Sequence, residues 1–179
     1  MKTRLFVAAC FFAIQASTSE AQVAVATNKV KPTASASASG TIAQAAHKSG
    51  VIKCANRVEQ HENFFAQQNN AVGALMFIAP KDANNRLFSL SSEIVEQNES
   101  AYVSSTYAPA GKDDCSASYD MVKYWQSSCQ DVANKIFPQF GNPLTLKRQI
   151  TALGKDANVK IFLMPAGEGC VSIKKEIVY

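Results

Sequence analysis

Histidine and closely spaced cysteine pairs are nearly missing from this chain. Its 179 residues hold two histidines, His47 and His61, and one tryptophan. No C-x-x-C, H-E-x-x-H, G-x-S-x-G or G-x-x-x-x-G-K-[ST] segment occurs. Those absences exclude the usual sequence forms of a zinc site, a zinc peptidase, an α/β-hydrolase nucleophile and a P-loop. His61-Glu62 opens like a zinc-peptidase helix, but Phe65 stands where the second histidine is needed. Charged residues make up only 18% of the chain and the net charge is +4, too mild to argue for nucleic acid or an anionic surface. No window approaches the roughly 18 apolar residues of a membrane-spanning helix, and no repeat appears at periods of about 20 to 50 residues.

The N-terminus carries the layout of a secretory signal. Lys2 and Arg4 precede an unbroken apolar run over residues 5–14, and polarity returns with Gln15, Ser17, Thr18 and Ser19. Ser19-Glu20-Ala21 has the small residues a signal peptidase accepts, so cleavage is expected after Ala21 and residues 1–21 are read as a signal peptide. At about 1.5 Å per residue the run spans about 15 Å, half of a hydrocarbon core, which argues against an anchor. Val7-Ala8-Ala9-Cys10 resembles a lipobox, and lipidation at Cys10 is the minor alternative. The expected location is periplasmic or secreted, with no transmembrane anchor in the mature chain. Cleavage removes Lys2, Arg4 and Glu20 from the 18 basic and 14 acidic groups.

Export turns five cysteines into four: Cys54, Cys115, Cys129 and Cys170. In an oxidising compartment these are expected to form two disulfides. Spacing leaves three pairings open; Cys115 with Cys129 and Cys54 with Cys170 is preferred. No metal and no cofactor is expected.

Residues 22–48 are rich in Ala, Ser, Val, Thr and Lys and read as a flexible linker, because so few large side chains offset backbone entropy poorly. Residues 41–48 carry alanines that suit a helical lead-in. One domain is expected over residues 49–179. Val51, Cys54, Val58, His61 and Phe65 recur at spacings of three and four and predict an amphipathic helix. Residues 72–79 read as a buried central strand, with residues 86–95 and 102–107 as further strands. Residues 108–118 read as a loop. Met121, Val122, Trp125, Cys129, Val132, Ala133 and Ile136 predict a second helix, N-capped by Ser116 or Ser118. A short third helix over 144–153 and strands over 159–164 and 170–179 complete the order α-β-β-β-α-(α)-β-β. In the last segment Val171, Ile173 and Ile177 alternate with Ser172, Lys174 and Glu176. The fold expected is α+β: a mostly antiparallel sheet of about five strands with two main helices packed on one face.

Candidates for chemistry are few. Ser172 and Lys175 fit S-x-x-K, but in a strand they point to opposite faces. His61 is the available base for a hydrolase; Asp113-Asp114 and Glu93 with Glu96 are the carboxylate pairs. Tyr102, Tyr107 and Tyr124 are candidate interface residues, since tyrosine supplies large contact area at low entropy cost. The function expected is a non-enzymatic exported binding module with another protein as partner, such as an inhibitor, an immunity-type protein or an accessory subunit of an envelope complex. The alternative is a small envelope hydrolase using His61 or a loop carboxylate pair.

Overall fold

Side chains of period two run through most of the ordered chain, and strands follow from them. The structure, a computed structural model, describes residues 41–67, 71–96, 99–112, 114–141, 143–154 and 156–179. The expected signal with Cys10, residues 22–40 of the expected linker, and Asp113 lie outside the described residues. Two helices come first, α1 (Ile42–Lys48) and α2 (Ala55–Phe65). Four strands follow: β1 (Ala71–Phe77), β2 (Phe88–Glu96), β3 (Glu99–Ala110) and β4 (Asp114–Trp125). Then come α3 (Cys129–Lys135) and the strands β5 (Leu144–Thr145), β6 (Thr151–Gly154), β7 (Val159–Ala166) and β8 (Gly169–Val178). All eight strands form one sheet in the order β1-β2-β3-β4-β8-β7-β6-β5, with every neighbour antiparallel. Two four-stranded meanders are thus joined along β4 and β8.

This corrects the expected sheet of about five strands with two main helices. The largest change falls on residues 116–136. Met121, Trp125, Cys129 and Ala133 are spaced by four, a spacing that keeps residues on one face both at period 3.6 and at period two. Tyr119, Val122, Tyr124 and Trp125 are β-formers, and the segment runs as strand β4 to Trp125. The helix that remains is seven residues long and is N-capped by Ser128, whose side chain accepts the Asp131 N–H. Neither Ser116 nor Ser118 caps a helix, since both lie within β4. The expected helix over 144–153 is the β5–β6 hairpin, closed by the Leu146 N–H donating to the Ile150 carbonyl at 2.9 Å. Gly154, which reads as a helix stop, is the last residue of β6, and the Lys160 side chain lies across it. Residues 108–118 divide between β3 and β4 on either side of a turn with Gly111 at φ 58°. β1 is an edge strand instead of a central one, with Leu75 and Phe77 exposed.

One face of the sheet carries all three helices. β4 directs Cys115, Ala117, Tyr119, Met121 and Trp125 to that face, and the register extends it to Tyr107 and Ser105 on β3 and to Cys170 and Ser172 on β8. Under α1 and α2 the core gathers Val51, Val58, Met76, Phe88, Leu90 and Tyr107, continued by Phe65, Ile94, Val103 and Tyr119. Under α3 it is smaller: Val132, Leu153, Ile161, Leu163 and Cys170. Helix α1 lies in the stretch that reads from sequence as linker, and it buries Ile42, Ala43 and Ala46. The Glu62 carboxylate of α2 accepts the N–H groups of Ile42 and Ala43 at 2.9 and 3.1 Å. A negative group there complements the positive end of the α1 dipole.

The disulfides are Cys54–Cys115 and Cys129–Cys170, not the preferred Cys115–Cys129 with Cys54–Cys170. Cys115 is near the start of β4 and Cys129 lies beyond its end, and the extended rise of about 3.3 Å per residue carries them far beyond the reach of a disulfide. Each bond instead pins helical chain to the sheet. Their sequence separations of 61 and 41 residues correspond to about 4 kcal/mol each in the chain-entropy model. Two disulfides point to an extracellular or periplasmic location.

Candidate functional site

His61 is buried on the covered face at 6% exposure. Its Nδ1 is 3.0 Å from the Tyr107 hydroxyl, and its ring meets those of Phe65, Tyr107 and Tyr119. Burial, helped by the Arg57 guanidinium and opposed by Glu176, lowers its pKa from 6.5 to about 4. Beside it Tyr119, Lys174 and Glu176 form a closed triangle. Tyr119 donates to Glu176 Oε2 at 2.6 Å, Lys174 Nζ donates to the Tyr119 oxygen at 2.6 Å, and Lys174 pairs with Glu176 at 2.9 Å. Burial and the Glu176 carboxylate push the Tyr119 hydroxyl upward. Burial pulls the Glu176 carboxyl upward too, but the bonds from Tyr119 and Lys174 together hold it below its ordinary range. A neutral imidazole whose hydroxyl neighbour is a buried tyrosine is packed as a core group.

Of the two carboxylate pairs, Glu93 with Glu96 is not assembled as a pair: the two differ by an odd number of positions in β2 and lie on opposite faces. Glu96 shares Lys123 with Glu99, at 2.6 and 2.8 Å. Asp114 accepts the Cys115 N–H at 2.7 Å. Ser172 and Lys175 also separate: the Ser172 hydroxyl accepts the Trp125 indole N–H at 2.7 Å, while Lys175 pairs with Asp120 at 2.9 Å. A cleft of about 380 Å³ lies between α3, Phe137, Phe140 and the β6–β7 strands, rimmed by Gln130, Asn134 and Gln149.

Among the described residues, the other face of the sheet carries no helix. The register lines up one residue per strand across it: Tyr102 on β3 opposite Val122 on β4, then Ile173 on β8, Phe162 on β7, Ala152 on β6 and Leu144 on β5. A second row, Tyr124, Val171 and Met164, runs alongside. Tyr102 and Tyr124 are about half exposed, at 49% and 51%, and Leu144 is at 65%. Tyr124 lies over Gly169, where a Cβ would collide with its ring and with the Trp125 carbonyl. The third tyrosine of the sequence reading, Tyr107, is inside, stacked on Phe88 at 4.8 Å. On β2 to β4 the same face also carries the hydroxyls of Ser89, Ser91, Ser104, Thr106, Ser116 and Ser118, while β1 places Ala71, Gly73, Leu75 and Phe77 on it.

β8 shows why sequence reasoning missed this surface. Its alternation is present, but Val171, Ile173 and Ile177 face away from the helices, and Cys170, Ser172, Lys174 and Glu176 face them. The signal that finds this is parity: a cysteine bonded to a helix must face it, and Cys170 shares its side with Ser172, Lys174 and Glu176. No family model matches the chain, and neither the curated proteins nor the solved structures compared with it match. Among the described residues, no group of three or more His, Cys, Asp or Glu is placed to hold a metal ion. Among the described residues, too, no helix is long and apolar enough to cross a membrane.

Proposed function

We propose that this is an exported, non-enzymatic binding module that docks a partner protein on the helix-free face of its sheet. The inverted strand β8 carries the reading. An antiparallel sheet with one covered face turns its apolar side inward, yet β8 turns Val171, Ile173 and Ile177 outward and needs the Tyr119–Lys174–Glu176 triangle to satisfy its inward polar groups. Six strands at about 4.8 Å spacing give the apolar row a width of about 25 Å, the scale of a standard interface of about 800 Å² per partner. Tyr102 and Tyr124 stand on this face as the aromatic anchors such interfaces favour. Its central ion pair, Asp120–Lys175 at 2.9 Å, is internally neutralised, so the partner surface is apolar and carries little charge.

A photo-crosslinking side chain at position 124, in the exported protein in its native setting, tests this against the same group at Phe64 on the helix side. Adduct with one discrete protein from position 124 and none from position 64, lost in Ile173→Glu with an unchanged melting transition, is the expected result. Equal labelling from both positions, or adduct that survives Ile173→Glu, overturns it. His61→Phe leaves docking intact if the protein is a binding module, and a measurable turnover that this change abolishes supports the hydrolase alternative instead.

A further inference from the structure

We infer that β1 is a pairing edge for a second copy of this chain, joining two sheets antiparallel across a two-fold axis at Ala74. The sheet ends on two very different strands. β5 is two residues long, and brevity is one way a sheet edge is kept from pairing. β1 is seven residues long, Ala71-Val72-Gly73-Ala74-Leu75-Met76-Phe77, without a charge, a proline or a bulge. It is paired in the same unbroken register with β2 over its whole length, and among the described residues β2 is its one strand neighbour. Among the described residues, none of the charges, prolines or bulges that blunt an edge is present on it.

The side chains select the occupant. On the helix-free side β1 presents Ala71, Gly73, Leu75 and Phe77, with Leu75 and Phe77 exposed at 44% and 41%. Nothing lies within 4 Å of the position a Cβ on Gly73 would take. With the axis at Ala74, each large residue faces a small one of the second copy: Leu75 fills the space over Gly73, and Phe77 covers Ala71. On the helix side Val72 meets Met76, and Ala74 meets its own mate. The strand is therefore self-complementary in one register, the condition for an isologous two-fold contact. Backbone hydrogen bonds supply attraction, and the large-to-small matching sets the alignment. The two helix-free faces then become one continuous surface, an outcome independent of whether that surface docks another protein.

Sedimentation of the purified exported chain over a concentration series tests the pairing. The expected mass is that of two chains, falling to one in Leu75→Lys, whose two charges enter the paired edge, with the same melting transition and intact disulfides at low concentration. Register is tested by mixing Gly73→Cys with Leu75→Cys chains under mild oxidation: a crosslinked heterodimer is expected, while Leu75→Cys alone stays uncrosslinked because like positions lie diagonally, beyond the about 7 Å Cα limit of a disulfide. A single-chain mass at every concentration overturns the inference, including the case in which the chain's own N-terminal segment protects β1. So does a two-chain species that persists in Leu75→Lys but is lost in Ile173→Lys, which would place the contact on the sheet face.

Discussion

The two meanders share one sheet and one covering layer, yet they are built on different terms. The half from β1 to β4 lies under two helices, α1 and α2, and buries a large core with Phe88, Tyr107, Leu90 and Met76; its outer face is solvated by serines and threonine. The half from β5 to β8 lies under the seven-residue α3, buries five residues, and leaves Ile173, Phe162, Val171 and Met164 on its outer face. The first half thus meets much of its outer face with hydroxyls, leaving Leu75 and Phe77 exposed on β1 and Tyr102 and Tyr124 exposed toward the second half. The second has apolar surface on both sides and a helix for one of them, and that imbalance locates the proposed docking face.

Breaking each half's tether to its helix sharpens this contrast most. Cys129→Ala with Cys170→Ala is expected to cost about 4 kcal/mol and to release β5, β6 and β7 to hydrogen exchange while β2 and β3 stay protected, because the small core cannot hold α3 alone. Cys54→Ala with Cys115→Ala costs a similar amount in denaturant titration but lowers protection throughout the first half.

Core truncation comes next. Ile161→Ala, at a fully buried site under α3, is expected to destabilise by about 3 kcal/mol, with exchange increasing first in the second half. The acid response should instead centre on His61 under α2, where β4 meets β8. His61 titrates at about 4 against 6.5 unfolded, so below pH 6.5 the unfolded chain binds a proton that the folded chain refuses. Stability therefore falls between pH 6.5 and 4, by up to about 3 kcal/mol. The depressed carboxyl of Glu176 adds loss in the same direction on further acidification. Thermal melts from pH 7 to 4 should show the decline, and in His61→Phe it should flatten. The smallest effects are on the outer face: Ser104→Val and Ile173→Ser should each shift stability by about 1 kcal/mol or less, and of the two only Ile173→Ser should weaken docking.

Helix α2 was legible in the sequence because Val58, His61 and Phe65 follow one periodicity, and strands were legible at residues 86–95 from an apolar start followed by serines, at 159–164 from an apolar run, and at 170–179 from regular alternation. β4 was not legible: a spacing of four between Met121 and Trp125 satisfies both periods, and Cys129 and Ala133 continued it into the true helix. Of the candidate surface, Tyr102 and Tyr124 could be singled out as tyrosines, but Val122, Ile173 and Phe162 could not, since an outward apolar residue looks like any other apolar residue in a strand. The alanines of α1 marked residues 41–48 as a helical lead-in, but not its packing: its small residues are buried beside the Glu62 carboxylate and the core that includes Ala74 and Met76 of β1.

By itself the sequence determined the local periods and the cysteine set expected to pair as disulfides. Only the tertiary structure decided which cysteine meets which, and which side of each strand is inside. Alternation defines two faces of a strand without saying which one receives the helix. In β8 that choice was made by the bond from Cys170 to Cys129 and by the register with β4, and both carry the polar side in and the apolar side out.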